Sequence, residues 1–390
     1  MNPPAPDRVA AVVAAAAAAV PSVVEWTRRI AAVPAPTGDE GERSTFVRSL
    51  FAEAGLHASV DDLGDVVGTI PGRQGGIDTP AVLLAAHIDT VFVRETPLPI
   101  TVDGTRMAGP GIGDNSVGVA AVLGVPGVLR AAGEDPLVDV LLTGNVGEEG
   151  LGNLRGIRAV MDANPRIGAV VAVEGHNLGR VTHVAVGSRR LRITATGPGG
   201  HSWGDFGRPS ALHALARLVA ELDAVPLPWT PKTTLNVGTI EGGISVNSIA
   251  PTASCLVDLR SVDASSLACL ADKVDRIVQG AERNGIAFAV ETLGERPAGE
   301  APANSPVVRV ATSILAALGV EAAFDASSTD ANVALARGVP AVCVGLTNGG
   351  NVHREDEYIE TGPLAVGLAQ LALLALELGD RLVDGTLRLS

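Results

Sequence analysis

Two kinds of hydrophobic pattern divide the chain. The segments 81–90 (AVLLAAHIDT), 138–150 (VDVLLTGNVGEEG) and 167–176 (IGAVVAVEGH) are short, mostly apolar runs, and helix-like stretches such as 116–133 alternate with them. This alternation is typical of an α/β sheet whose strands are buried on both faces. Because ligands gather at the carboxyl ends of the strands in such sheets, we expect functional side chains where these runs end.

The pattern changes from about residue 187. The stretch 189–201 alternates like a half-exposed strand, 210–225 and 267–285 have helical patterns, and further strand-like runs lie between and after them. The Pro- and Gly-rich stretch 294–306 then leads back to the first pattern. We therefore predict one domain from 1–186 and 298–390, interrupted by an inserted α+β domain at 187–297.

The Ala-rich stretch 8–26 has two interpretations, a signal-peptide core or a surface helix. The helix is favoured, because Asp7 offsets Arg8 and alanine is a strong helix former but a weak hydrophobe. Thr37 and Asp39 are candidate caps for the helix that follows. The apolar runs are short or interrupted by Gly and Pro, so we predict no membrane partner.

Composition narrows the class of protein. The 390 residues are 46% hydrophobic, enough for a large domain and a smaller one. The formal net charge is −14 and the only lysines are Lys232 and Lys273, which argues against a nucleic-acid partner. The three cysteines lack metal-site spacing, which favours free thiols in a reducing compartment, so we expect a cytoplasmic protein.

The polar residues at the ends of the apolar runs have structural explanations when each is taken alone. His87 and Asp89 are two positions apart and share a face, which fits a hydrogen-bonded histidine or a metal ligand oriented by the carboxylate. Asp114, in GPGIGDNS, is a candidate helix cap. The pair Glu148-Glu149 fits a solvated turn, although glycines and a preceding apolar run favour a cleft.

Taken together, the residues at these positions fit a pair of divalent cations. Two Zn²⁺ ions would be neutralised by three carboxylates and a bridging hydroxide, with two neutral imidazoles completing the ligand set. The candidate ligands are His87, Asp114, Glu149, Glu174 and His353. Glu148 is left to take a proton from water and pass it to a leaving amine.

The order and spacing of HID, GDN, GEEG, VEGH and GGNVH, with the early PAPTGDEGER, resemble the M20 metallopeptidase and aminoacylase family (the ArgE/DapE/carboxypeptidase-like group) from about residue 28 to 363. The resemblance implies an α/β catalytic domain of the di-zinc phosphorylase/hydrolase-like kind, with a mixed sheet flanked by helices. It also implies that the insert is a ferredoxin-like lid and dimerisation domain, and hence a homodimer.

Roles follow from the same resemblance. His87 and Glu174 would hold one zinc, Glu149 and His353 the other, and Asp114 would bridge them. Glu148 would be the general base, and Asp89 would orient His87. The motif GPGGHSWGDFGRPSA implies that His201 stabilises an oxyanion, and SVNSIAP and DLR imply that Asn247 and Arg260 anchor the substrate. His176, two residues beyond Glu174, is a further candidate for supporting a ligand.

The expected function is hydrolysis of the amide bond of a small peptide or N-acyl amino acid beside a free carboxylate, as in carboxypeptidases and aminoacylases. Glutamate rather than aspartate at position 174 resembles that branch of the family. A di- or tripeptide aminopeptidase is the alternative enzyme, and a non-catalytic metal- or ligand-binding relative is the alternative of another class. Zn²⁺ is the expected ion, with Co²⁺ or Mn²⁺ as alternatives, because these ions share ligand types.

Overall fold

The structure, a computed structural model, describes residues 3–283 and 285–387. The chain separates into two compact units, one made of Met1–Ala185 with Glu300–Ser390 and the other of Val186–Gly299. The helices are α1 (Pro6–Ala31), α2 (Gly41–Glu53), α3 (Val117–Ala132), α4 (Arg155–Ala163), α5 (Ala211–Asp223), α6 (Ala264–Ala281), α7 (Pro306–Ala317), α8 (Ala331–Ala336) and α9 (Leu364–Val383).

The strands of the first unit before the insert are β1 (Ala58–Val60), β2 (Val66–Ile70), β3 (Ala81–His87), β4 (Thr101–Asp103), β5 (Arg106–Ala108), β6 (Asp139–Asn145), β7 (Ile167–Leu178) and β8 (Arg180–Ala185). The second unit contributes β9 (Gly187–Thr196), β10 (Gly200–His201), β11 (Thr233–Gly242), β12 (Ser248–Ile249), β13 (Thr252–Ser261) and β14 (Ala287–Arg296). The chain returns to the first unit within β15 (Gly299–Glu300). The remaining strands of that unit are β16 (Ala323–Ser327), β17 (Ala341–Gly345), β18 (Gly349–Gly350) and β19 (Tyr358–Glu360).

A mixed sheet forms the centre of the first unit. Its strand order is β1-β2-β6-β3-β7-β17-β8-β15, with β16 paired to β8. The middle four strands, β6, β3, β7 and β17, run parallel to one another, whereas β2 and β8 run antiparallel to their neighbours β6 and β17. Every residue of β3, β6 and β17 is buried, which explains their almost continuous apolar sequence. The predicted mixed sheet flanked by helices is confirmed.

Helices α1, α3 and α9 pack together beside this sheet. Pro21 and Pro126 lie inside α1 and α3 without ending them, so the expectation that proline breaks the apolar runs is wrong. By length and composition alone, Pro6–Ala31 and Ile112–Ala132 could each cross a membrane. The second is mostly buried inside the unit, and the first buries a stripe that includes Val12, Ala16, Val23 and Ile30.

The second unit is a two-layer α+β structure. Its main sheet has the order β11-β13-β9-β14, with all neighbours antiparallel, and α5 and α6 pack against it. The main elements follow one another as β9, α5, β11, β13, α6 and β14, which is the ferredoxin-like β-α-β-β-α-β arrangement. Along β13, buried positions alternate with partly exposed ones. One face of the sheet is therefore covered by the helices, and the other face is partly solvated.

Asp65 connects the start of β2 to the end of β6. Its side chain is fully buried, and its Oδ1 accepts a hydrogen bond of 2.8 Å from the backbone N–H of Val146. Burial raises the pKa of Asp65 to about 8, and the neighbouring charges of Asp61 and Asp330 act in the same direction. The folded chain therefore favours the protonated carboxyl group.

This shift predicts a pH-dependent contribution to stability. An unfolded aspartate has a pKa of about 3.9, so the stabilisation from the protonated Asp65 is fully present below that pH and is lost as the pH rises through about 8. Asp65→Asn keeps an oxygen acceptor for Val146 but removes the titration. Relative to wild type, the variant should gain unfolding free energy as the pH is raised from 5 to 9, measured by urea unfolding with a chelator present.

Asp62→Asn is the matched control, because Asp62 is exposed only three residues away. Its stability should follow the wild-type pH curve. Parallel curves for wild type and Asp65→Asn over the same range would contradict the shifted titration of Asp65.

Candidate metal centre

Side chains from five separate segments meet at the carboxyl edge of the parallel strands. His87 is the last residue of β3, Glu149 follows β6, and Glu174 is the eighth of the twelve residues of β7. Asp114 lies in an irregular turn before α3, and His353 comes from the loop between β18 and β19. The structure thus brings all five predicted metal ligands to one place.

Asp114 is the centre of this group. Its Oδ1 lies 3.0 Å from Nε2 of His87, and its Oδ2 lies 3.0 Å from Nε2 of His353. His353 Nε2 is also 3.2 Å from Oε1 of Glu149, and His87 Nε2 is 3.9 Å from Oε2 of Glu174. Each oxygen of one carboxylate therefore faces a different imidazole, as expected for a residue between two cation positions.

The turn around Asp114 is fixed by its neighbours. Gly111 adopts a left-handed φ of +66°, and the Asp114 backbone has non-helical angles, so Asp114 does not cap α3. Asn115 Nδ2 donates a 2.6 Å hydrogen bond to the carbonyl of Val173, one residue before Glu174. This bond holds the Asp114 turn against β7.

The surroundings of His87 Nε2 fit a cation better than they fit a direct hydrogen bond. His87 Nε2 is buried and makes no hydrogen bond of acceptable geometry with any described residue, although Asp114 Oδ1 is only 3.0 Å away. One ligand atom each from His87, Asp114 and Glu149 lies within 4.8 Å of the others. Imidazole nitrogens and carboxylate oxygens at such separations are the ligand set that Zn²⁺ and similar divalent ions accept.

The pKa values show how the chain balances charge here. Asp114 and Glu149 raise the pKa of His353 to about 10, and buried His87 also has a pKa well above its ordinary value because carboxylate contacts outweigh desolvation. Burial would raise the pKa of Asp114, yet His353 and His87 hold it below its ordinary value. Without a bound cation, the carboxylates thus favour the protonated form of both imidazole rings, and cation binding would release those protons.

The carboxylate of Asp89 holds the backbone of Glu148 and Glu149 in place. Its two carboxylate oxygens accept the backbone N–H groups of Glu148 and Glu149 at 3.0 and 2.9 Å, and Thr37 Oγ1 donates to it at 2.9 Å. Nδ1 of His87 lies 3.1 Å from the backbone oxygen of Asp89 and 3.5 Å from the carboxylate. Asp89 was predicted to orient His87 through its carboxylate. In the structure, the backbone carbonyl of Asp89 is nearer to the His87 ring than the carboxylate is.

Glu148 and Glu149 are buried, with exposed fractions of 6% and 7%. Gly147 and Gly150, on either side of them, have positive φ angles of 69° and 51°, so the chain leaves strand geometry at both ends of the pair. The solvated-turn interpretation of this pair is therefore wrong. Asp89 and the two glycines together turn both carboxylates inward.

One residue beside the centre, Arg43, carried no clear sequence signal. Arg43 is 1% exposed and donates to the carbonyls of Val33 and Ile88 at 2.7 and 2.8 Å. Burial lowers the pKa of Arg43 to about 10, and the charge of Asp89 opposes that change. An arginine in a helix is usually exposed, so only the folded chain identifies Arg43 as the buried cation near Asp89.

Two predicted helix caps are wrong. Thr37 and Asp39 do not cap α2, whose N-cap is Glu40, because Thr37 binds Asp89 and Asp39 pairs with Arg94. Asp330 precedes α8 without a capping hydrogen bond from its side chain and accepts a 2.7 Å hydrogen bond from Nδ2 of Asn145.

The predicted substrate residues lie in the second unit. The short pairing of β10 with β12 places His201 beside Ser248, and Ser202 donates its N–H to the Asn247 carbonyl at 2.9 Å. The exposed ring of His201 accepts the N–H groups of Trp203 and Gly204 at Nδ1, both at 3.2 Å. This fixes the proton on Nε2.

Arg260 lies elsewhere in the same unit, at the far end of β13. Its Nε donates to Oδ2 of Asp258 at 2.6 Å. Of the three predicted substrate residues, His201 and Asn247 thus lie close together, whereas Arg260 lies apart from them.

Comparison with known proteins places the chain in a family. The family model for peptidase family M20/M25/M40 matches residues 83–377. A succinyl-diaminopimelate desuccinylase from Corynebacterium glutamicum is 25% identical over 345 residues, which cover 85% of this chain and 90% of the relative. A protein from Pyrococcus abyssi, named as a LysW-lysine/LysW-ornithine hydrolase, is 29% identical over 170 residues, 44% of this chain and 45% of the relative.

Solved structures have the same fold. A tripeptidase from Staphylococcus aureus superimposes with a TM-score of 0.78 at 20% identity, covering 93% of this chain and 99% of that one. A dinuclear metal binding peptidase of the M20 family from Bacillus subtilis gives 0.69 at 18% identity, with 93% and 99% covered. The chain belongs to peptidase family M20/M25/M40 and is a hydrolytic metallopeptidase.

Proposed function

We propose that the chain is a two-metal hydrolase that cleaves the amide bond of a small peptide or N-acyl amino acid beside a free carboxylate. The observation that carries the proposal is the position of Asp114 between His87 and His353, with one carboxylate oxygen 3.0 Å from each ring. The name of the Corynebacterium relative, a desuccinylase, supports N-acyl substrates. Di- and tripeptides with a free amino end are the alternative substrates, supported by the name of the tripeptidase that shares the fold.

In this proposal His87 and Glu174 hold one ion, Glu149 and His353 hold the other, and Asp114 contacts both. The distances between these donor atoms support the division. When bound, two such ions polarise a carbonyl group and lower the pKa of a shared water. Zn²⁺ fits the mixed nitrogen and oxygen donors, and Co²⁺ or Mn²⁺ would accept the same set.

Glu148 is the proposed general base. It would accept a proton from the attacking water and transfer it to the leaving nitrogen, as the water oxygen bonds to the carbonyl carbon and the C–N bond breaks. Two features support this role. The backbone of Glu148 is anchored by Asp89, and its 6% exposure keeps bulk water away from the carboxylate.

The residues of the second unit have proposed roles that their local geometry supports. His201, with its proton on Nε2, has a donor for the oxyanion that develops during attack. Asn247 lies on the adjoining strand connection and would bind a polar group of the substrate. Arg260 uses Nε to bind Asp258, so the terminal guanidinium nitrogens would bind a substrate carboxylate.

Two further proposals concern the state of the protein. A homodimer would follow the family pattern that the inserted unit resembles, and sedimentation equilibrium would test it. We also propose that the protein acts in the cytoplasm, because its three cysteines are free thiols and two of them are buried.

The substrate class is tested by comparing purified, metal-loaded protein on N-acetyl amino acids and on unblocked dipeptides with matched side chains. We expect higher kcat/KM for the N-acyl series, with loss of activity when the substrate carboxylate is amidated, because the carboxylate would lose its arginine partner. Cleavage confined to unblocked peptides would instead establish the aminopeptidase.

Glu148→Gln tests the base. The variant should lose roughly 10²–10⁴-fold in kcat, because an amide cannot carry the proton, while metal content by elemental analysis stays at the wild-type level. Glu321→Gln is the control, since Glu321 is an exposed glutamate of the same unit. Near-wild-type turnover in Glu148→Gln would remove Glu148 from the mechanism without removing the metal centre.

A further inference from the structure

Beside the Asp114 turn lies a buried, hydrogen-bonded pair of side chains with no role in the proposed chemistry. Nε2 of His176, in β7, lies 2.7 Å from Oε1 of Glu357, just before β19. His176 is 7% exposed and Glu357 is fully buried. Among residues 3–283 and 285–387, Nδ1 of His176 makes no hydrogen bond, so the ring donates its proton from Nε2 to Glu357.

The first segment in contact with this pair is the turn that carries Asp114. A Cβ added at Gly113 would lie 2.1 Å from Nε2 of His176 and 2.8 Å from Oε1 of Glu357. The backbone at Gly113 therefore rests directly on the paired atoms, with no room for a side chain. Asp114 is the next residue, so displacement of the pair would displace the carboxylate that lies between the two imidazoles.

The second segment is the one that carries His353. A Cβ added at Gly349 would lie 2.7 Å from both Cε1 and Nδ1 of the His176 ring. Gly349 begins the short strand β18, which pairs with β19 directly after Glu357. The loop from Gly350 to His353 thus starts from backbone that lies against the Cε1–Nδ1 side of the same ring.

We propose that His176 and Glu357 are a positioning pair that sets the distance between the Asp114 turn and the His353 loop, and so the geometry of the metal centre. The inference rests on the proposed function, because it assumes that Asp114 and His353 are ligands. His176 is also two residues beyond Glu174 on β7, so the pair joins three ligand-bearing segments. Neither residue touches the cation positions in this role.

A cation site tolerates little displacement of its ligands. Functional geometry generally has to be held within about 0.5 Å, and residues that support metal ligands typically contribute 10–100-fold to metal affinity. A shortened side chain at position 176 would leave both glycine backbones without their common contact. The expected result is weaker metal binding with a distorted ligand field.

The test uses the full-length protein and two ions as probes. Zn²⁺ affinity is measured by competition with a chromophoric chelator, and the Co²⁺-substituted protein is examined by visible absorption. For His176→Ala and Glu357→Ala we expect a roughly 10–100-fold loss of affinity for at least one Zn²⁺ and a shifted Co²⁺ spectrum. His176→Gln and Glu357→Gln, which can keep a hydrogen bond between the two positions, should recover part of the affinity.

His183→Ala is the matched control. His183 lies on β8, the next strand along the chain, and its ring donates from Nδ1 to the carbonyl of Ala301 at 2.6 Å. It should keep wild-type affinity and spectrum. Thermal unfolding of each variant in the presence of a chelator measures the stability of the metal-free protein. An unchanged unfolding temperature shows that weaker metal binding does not come from a general loss of stability.

The outcomes are distinguishable. Wild-type affinity and spectrum in both alanine variants would overturn the positioning pair while leaving the metal centre intact. Failure of the wild-type protein itself to bind two ions would overturn the proposed function and this inference with it. If the alanine variants do not fold, the glutamine variants decide the matter: reduced affinity with a shifted spectrum supports the pair, and wild-type values overturn it.

Discussion

The mutual repulsion of buried carboxylates is the constraint around which the first unit is arranged. Asp114, Glu149 and Glu174 converge at the carboxyl ends of the parallel strands. Asp89 and Asp330 are buried near them. Burial raises the pKa of Asp330 to about 6, and the charges of Glu174 and Asp89 add to this. Such a cluster is unfavourable in a low-dielectric interior unless positive charge or a hydrogen-bond donor faces each carboxylate.

The chain supplies those partners from distant segments. The imidazoles of His87 and His353 face Asp114, the guanidinium of Arg43 lies near Asp89, and backbone N–H groups face the Asp89 oxygens. Bound cations would replace the protons on the two imidazoles and complete the balance. Positive charge that faces these carboxylates offsets their repulsion in the fold. Because a bound cation supplies the same positive charge, the site is suited to metals.

The sequence predicts the parts of this arrangement that depend on local pattern. Apolar runs identified β3, β6 and β7, and the carboxyl-end rule placed His87, Glu149 and Glu174 at one edge. The wrong predictions concern polar residues whose partners are distant in sequence. Thr37 and Asp39 were candidate helix caps but bind Asp89 and Arg94, and the buried position of Arg43 carried no sequence signal. Single-sequence patterns contain no information about contacts that only the folded chain creates.

The interruption of the first unit by residues 186–299 determines the order in which the strands of its sheet are synthesised. Strand β17 lies between β7 and β8 in the sheet, yet it follows the insert in sequence, as does His353. A nascent chain that has left the ribosome only as far as residue 299 can complete the insert but lacks an interior strand of the sheet. The segment after the insert therefore supplies both an interior strand of the sheet and His353, so the predicted ligand set is incomplete until that segment has been synthesised.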